Sequence, residues 1–257
     1  MRTFFKSVLF VVFLTLSFQT QTQAQLLNVE SVRANVDSAG WHGELEFDLS
    51  LNRYNERVFE FTNESNLSYF TEGHAYMLLN KLKFVNLDGN SLISSGYVHL
   101  RSTLLRNGRL SPEIFVQYQY NNNLGLNNRA LVGAGVKYRF YRTDAWQASV
   151  STALMYEFEE WQLAGQPSLK NKFVKTTSNI RLIGEFSDNA TFLLVGYYQA
   201  RPDQFFEARS ILESKLKMDL SKRIAVSIGF VASYDAKPII DIPYWTYELN
   251  NGLVVKF

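Results

Sequence analysis

From Ile224 onward the chain alternates at every step. Ile224, Val226, Ile228, Phe230, Ala232 and Tyr234 are apolar or aromatic, and Ala225, Ser227, Gly229, Val231, Ser233 and Asp235 between them are mostly small or polar. Successive side chains of an extended strand point to opposite faces, so this period marks a strand with one apolar face. The same period runs through Trp146, Ala148, Val150, Leu154, Tyr156 and Phe158, opposite Gln147, Ser149, Ser151 and Glu157. It returns at the C-terminus, where Trp245, Tyr247, Leu249, Leu253, Val255 and Phe257 oppose Glu248, Asn250 and Lys256. Beyond residue 24 no stretch approaches the ~18 uncharged apolar residues of a membrane helix. A helical membrane protein is therefore excluded.

Carried along the chain, the alternation predicts about twelve strands, near 41–51, 57–69, 74–84, 92–105, 113–121, 129–142, 145–159, 173–186, 190–201, 205–220, 223–235 and 245–257. Ten or fourteen strands fit the same pattern. Phe206 to Leu220 is ambiguous, because Ala208, Leu212, Leu216 and Leu220 are spaced by four and also fit a helix. The charged odd positions Glu207, Arg209, Glu213, Lys215, Lys217 and Asp219 favour a strand.

Short turns are expected at Thr71–Gly73, Thr143-Asp144, Ser187–Asn189 and Ser221-Lys222, and longer polar links at Asn122–Asn128, Glu160–Lys172 and Ala236–Tyr244. Asn107 to Pro112 breaks that alternation. Long strands joined alternately by tight turns and longer loops predict an all-β, up-and-down antiparallel transmembrane barrel, with both termini on the periplasmic side. Aromatics at segment ends, such as Tyr138, Phe140 and Tyr141, Tyr156 and Phe158, Tyr197 and Tyr198, and Tyr244, Trp245 and Tyr247, suit the interfacial girdles of such a barrel. The competing fold is a secreted β-sandwich, whose strands are normally shorter and separated by more Gly and Pro.

The N-terminus carries Arg2 and Lys6, an apolar core from Val8 to Leu16, and a polar stretch ending in Ala24. This order is that of a secretory signal peptide, with cleavage after Ala24 and a single mature domain spanning residues 25–257. A retained anchor is the alternative, but the apolar core is shorter than the ~20 residues a span needs. The absence of cysteine excludes a lipoprotein anchor, disulfides and thiolate chemistry. Without the leader's two cations, 24 basic residues face 24 acidic ones, so the mature chain has no general attraction for nucleic acid. The expected partners are outer-membrane lipid and, during biogenesis, the outer-membrane assembly machinery. The ending Tyr247, Leu249, Leu253, Val255 and Phe257 has the form of the terminal signal which that machinery reads.

The stretch Glu113 to Phe140, EIFVQYQYNNNLGLNNRALVGAGVKYRF, resembles the DUF481 family of outer-membrane proteins. The matching residues are Phe115, Gln117, Tyr118, Gln119, Asn121, Arg129, Leu131, Gly133 and Gly135. Tyr156-Glu157, Tyr234-Asp235 with Pro238, Asn251-Gly252-Leu253 and the terminal Phe257 also fit. The resemblance implies a barrel in the outer membrane of a Gram-negative bacterium. It brings no established reaction and no functional residues.

No catalytic or metal constellation is evident. His42, His74 and His99 lie outside any G-x-S-x-G or close His-x-Ser context and lack H-x-x-x-H spacing, and the row Glu44, Glu46, Asp48 lacks the glycine and amides of a calcium loop. Neither an enzyme nor a cofactor is expected. If apolar faces meet lipid, the charged faces meet the lumen, where unpaired charge is costly. Arg139, Glu157, Arg181, Glu185, Arg209, Glu213 and Lys215 are the candidate members of a lumenal charge network. The sequence thus predicts a non-enzymatic envelope barrel with a filled lumen. A small channel for ions or hydrophilic solutes is the alternative, with an outer-membrane hydrolase behind it.

Overall fold

Every alternating segment is a strand: β1 (Gly40–Arg53), β2 (Arg57–Phe70), β3 (His74–Leu87), β4 (Asn90–Leu104), β5 (Leu110–Asn121), β6 (Leu126–Arg142), β7 (Trp146–Trp161), β8 (Leu169–Ser187), β9 (Ala190–Arg201), β10 (Gln204–Asp219), β11 (Ile224–Asp235) and β12 (Trp245–Lys256). The computed structural model describes residues 28–30, 38–53, 57–87, 90–162, 165, 167–238 and 243–257. The leader read at residues 1–24 lies outside the described residues. Each strand pairs antiparallel with its neighbours in sequence, and β1 meets β12, so the sheet closes into a twelve-stranded barrel. The ambiguous segment is β10. Its backbone is satisfied on both edges, by β9 and β11, as a sheet interior requires.

Closure rests on a short seam. Glu44–Phe47 pair with Leu253–Lys256, and Gly43 and Phe257 exchange backbone hydrogen bonds of 2.9 and 3.0 Å. The Phe257 ring lies against Gly43, where a Cβ would require the ring to move.

Link lengths alternate less than expected. At the rim carrying Gly40 and Phe257, links run from two residues (Asp188-Asn189) to five (Leu105–Arg109). At the opposite, distal rim, only β7–β8 and β11–β12 are long, and β9–β10 is just Pro202-Asp203. The strands themselves absorbed the difference. Pairing of β7 with β8 continues out to Trp161 and Leu169, and Asn122–Leu124 forms a 3-10 turn ended by Gly125 at φ 73°, after which β6 begins at Leu126. Pro112, expected in a link, sits inside β5 opposite Val136. The turn before it is tied to its neighbour, since Arg106 Nε donates to Thr71 O (2.6 Å) and Asn107 Nδ2 to Glu72 O (2.7 Å).

The outside of the barrel is apolar. Val98, Leu100, Val116, Val132, Leu154, Ile180, Leu212 and Ile228 form an exposed middle band. Aromatics flank it on both sides. Trp41 packs on Tyr69 (ring centroids 4.9 Å apart) at the rim with the strand termini, together with exposed Tyr138, Phe140 and Tyr141. Tyr234 packs on Trp245 (4.9 Å) and Tyr198 on Phe205 (5.2 Å) at the distal rim. Tyr197, read from sequence as part of a girdle, instead faces inward and packs with Leu193, Val195 and Ile211. In a regular ladder adjacent residues point to opposite faces, so Tyr197 and Tyr198 face apart, whereas Phe140 and Tyr141 lie at a register irregularity.

Candidate functional site

The lumen is the part of the molecule where chemistry concentrates. Many of its charged side chains fall into three groups, and Asp48, Glu64, Lys81 and Glu248 line a cavity beside them.

In the distal half, Arg129 on β6 donates through Nε (2.6 Å) and Nη2 to Glu157 on β7, whose other oxygen accepts from Lys175 on β8. Glu159 extends the group to Arg209 Nη1 (3.1 Å), and Arg209 Nε reaches Asp235 on β11 (3.0 Å). Three cations thus meet three carboxylates. On the β1, β10, β11 and β12 wall, Lys215 pairs with Glu46, Lys217 with Glu44 (2.6 Å) and Lys256 with Asp219 (2.6 Å), and Ser227 Oγ donates to Glu46. Buried ions survive only where partners and hydrogen bonds satisfy them. The distal group meets that condition, whereas on this wall Asp48 keeps a buried Oδ1 with no hydrogen-bond partner among the described residues.

The third group, on β4, β5 and β6, needs help from outside the barrel wall. Arg101 and Lys137 both face Glu113, at 3.4 and 3.6 Å. Thr103 Oγ1 donates to the same carboxylate (2.9 Å). A further negative charge is Glu30, whose carboxylate accepts from Arg101 Nη1 and whose carbonyl accepts from Arg181 Nε at 3.2 Å. Glu30 is 1% exposed, although it precedes the first strand.

Residues 28–30 therefore lie inside the barrel. Val29 is buried in an apolar slot of Phe70, Ala75, Met77, Leu79 and Tyr97. Asn28 Nδ2 donates to Glu213 Oε2 (2.7 Å). Asn28 lines a cavity of about 180 Å³ together with Glu46, Glu64, Lys81 and Glu213. Val29 lines a second one, of about 40 Å³, with Arg101, Arg129, Asn179 and Gln199. The segment lies across the lumen between the two spaces.

The residues singled out from sequence are placed as follows. Glu157 and Arg209 meet through Glu159 and Arg129 in the distal group, and Lys215 pairs with Glu46. Arg181 and Glu213 both hold the N-terminal segment. Arg139 donates from Nη2 to Arg106 O (2.9 Å), bracing the β4–β5 turn. Glu185 is exposed near the end of β8, its amide donating to Ala145 O (2.9 Å). Tyr247, Leu253 and Phe257 point outward on the last strand and Leu249 and Val255 are half-buried beside them.

Arg129, Glu159, Lys175 and Glu113 were not singled out, yet strand parity was available as a signal for each. Glu30 carried no such signal, because it belongs to no strand. The lumen is also less polar than the charge pattern implied. Phe115, Leu131 and Met155 form an inward apolar cluster, and a Cβ on Gly133 would strike the Phe115 ring.

The histidines are dispersed. His99 is buried, with Nδ1 3.0 Å from Gln117 Oε1 and Nε2 accepting from Arg101 Nε at 3.3 Å. His42 lies 3.2 Å from Ser38 Oγ, and the amide of His74 closes a turn on Thr71 Oγ1 (3.0 Å). Among the described residues no three His, Asp or Glu side chains converge as metal ligands.

Residues 31–257 match the family described as a protein of unknown function, DUF481. The chain belongs to the DUF481 family. No curated protein matches it. Among solved structures, this DUF481 chain is similar to the COG4313 outer membrane channel from Pseudomonas putida F1, at 9% identity and a TM-score of 0.54, covering 90% of this chain and 100% of that one. It also aligns with the translocator domain of the autotransporter NalP from Neisseria meningitidis, at 10% identity and a TM-score of 0.47 over 89% and 91% of the two chains. A third alignment is with the KdgM porin in complex with disordered oligogalacturonate, at 14% identity and a TM-score of 0.44 over 83% and 99%. The first likeness establishes the fold of this DUF481 protein as that of an outer-membrane barrel.

Proposed function

We propose that this DUF481 protein is a non-enzymatic barrel of the Gram-negative outer membrane, closed at rest, with a structural or envelope-associated role. The leader at residues 1–24 would direct its export and be removed by cleavage after Ala24. The exterior supports the location. Strands of 12 or more residues rising ~3.3 Å each and tilted about 40° climb roughly 30 Å, the thickness of a bilayer's hydrocarbon core, and the exposed face over that height is apolar between aromatic girdles. In water such a surface would drive aggregation; in lipid it is solvated. The rim with Gly40 and Phe257 is then periplasmic, and the outward row Tyr247, Leu249, Leu253, Val255 and Phe257 is available to the assembly machinery.

The observation that carries the closed state is the seating of Asn28–Glu30 across the lumen, bonded to β4, β8 and β10. A second reading, a small channel, is favoured by the cavity of about 180 Å³ above that segment. Planar-bilayer recording of the purified full-length protein separates the two. A silent bilayer with correctly inserted barrel supports closure, and a steady conductance in the absence of any added solute overturns it.

A further inference from the structure

The seat of the N-terminal segment has the chemistry of a ligand site. Arg101 and Arg181, on opposite sides of the segment, take a carboxylate and a backbone carbonyl. The apolar slot beside them takes one branched side chain, Val29. Glu213 accepts a side-chain amide. Next to the seat, in the smaller cavity, Ser151 Oγ, Asn179 Oδ1 and Gln199 Oε1 have no hydrogen-bond partner among the described residues, although each of the three side chains belongs to a residue only 8% exposed. Buried oxygens left this way are costly unless a donor meets them. The site therefore presents cations for a carboxylate, a pocket for an aliphatic group, and oxygen acceptors for N–H donors. That is the complement of a short acidic peptide.

We propose that the lumen of this barrel contains a binding site for short acidic peptides, that Asn28-Val29-Glu30 is its tethered occupant, and that a free peptide of the same class displaces the segment and opens the lumen. The inference rests on the closed-barrel reading. Charge is what makes the occupant exchangeable in kind: Arg101 and Lys137 both reach Glu113, and Arg101 also takes the carboxylate of Glu30, so an emptied seat favours whatever brings a carboxylate to Arg101. Tethering gives the native segment an effective concentration in the millimolar range, so a free competitor must be supplied at millimolar levels. The segment is not part of the strand ladder, so its departure leaves the twelve-stranded sheet paired.

The chain has no cysteine, which makes the test direct. A single cysteine is introduced as Val29→Cys in the full-length protein, with Asp203→Cys in the exposed β9–β10 link as a separate control, and labelling by a charged maleimide is timed. The probe is the blocked tripeptide acetyl-Asn-Val-Glu-amide, compared with its Gln counterpart. The expected result is slow labelling of Val29→Cys relative to the control, accelerated about tenfold or more by millimolar Glu peptide and not by the Gln peptide. Adding Glu30→Gln should make labelling fast without peptide and should produce openings in planar bilayers. Labelling of Val29→Cys as fast as the control, or slow labelling that neither Glu30→Gln nor the Glu peptide changes, would overturn the proposal. A steady wild-type conductance with Val29→Cys still protected would instead remove the closed-barrel reading alone, and the response to the two peptides would still decide the site.

Discussion

Glu157 on β7 takes both the Nε and the Nη2 of Arg129 on β6, and neither side chain is more than 1% exposed. With Lys175 on its other oxygen, Glu157 neutralises charge that water cannot reach. Removing one partner from such a set is much costlier than the set's own net worth, because it strands the others. Glu157→Gln is therefore expected to lower stability by about 3–5 kcal/mol. Glu44→Gln, whose Lys217 pair is about a quarter exposed, should cost under about 1 kcal/mol. Urea midpoints of the lipid-inserted barrel read both values, and equal midpoints would contradict this account of the lumen.

The outward face makes the opposite demand. Val132, 52% exposed and opposite outward Val116 and Tyr156, lies in the middle band. Val132→Arg should destabilise insertion by about 2–4 kcal/mol, the depth-dependent cost of a cation at the bilayer midplane. Asp203→Arg, in the link, should change little. Folding into phospholipid vesicles, followed by the difference in gel mobility before and after boiling, gives the comparison. Tolerance of arginine at position 132 would mean that this face does not meet lipid.

The backbone of Phe257 contributes two hydrogen bonds to the seam, and the proposed recognition by the assembly machinery would read its ring. Deleting Phe257 removes both hydrogen bonds to Gly43 and should reduce the fraction of heat-modifiable barrel in the membrane and, after refolding, in vitro. Phe257→Ala keeps those bonds. It should refold normally in vitro and assemble poorly only in cells. Identical defects in both settings would assign the residue to the seam alone.

Substituting the histidines should leave no catalytic phenotype. His42→Ala and His74→Ala, at exposed or half-exposed rim positions, should behave as wild type, whereas His99→Ala should cost about 1–3 kcal/mol by leaving Gln117 and Arg101 short of a partner in a dry site. A broad lipase and protease screen of the wild-type barrel should find no turnover. Hydrolysis abolished by any of the three substitutions would establish an enzyme.

Strand positions and facing were legible before any coordinates, because a two-residue period is a local property of the backbone, whereas ten or fourteen strands fitted the same pattern as twelve. Each of the twelve segments, including Phe206–Leu220, falls on a strand, and parity placed Glu157, Arg181, Arg209, Glu213 and Lys215 inward, whereas Glu185 is exposed near the end of β8. Strand ends were less legible. Whether Glu160 or Leu169 belongs to a loop or a ladder depends on the neighbouring strand continuing beside it, as β7 and β8 do out to Trp161 and Leu169. Tyr197 shows the same limit in reverse, since its aromatic ring satisfied a composition rule that its parity forbade.

What the sequence by itself determined is the alternation and hence the wall: an apolar outside, a charged inside and strands long enough to cross a bilayer. What only the tertiary structure decided is which charges meet and what fills the space they enclose. Pairing across a lumen depends on register and shear between strands far apart in the chain, as when Lys215 finds Glu46 and Arg209 finds Glu159. Glu30 is the sharpest case. No periodicity marks it, and its place is set by Arg101 and Arg181, on strands that are brought to face it only once the barrel has closed.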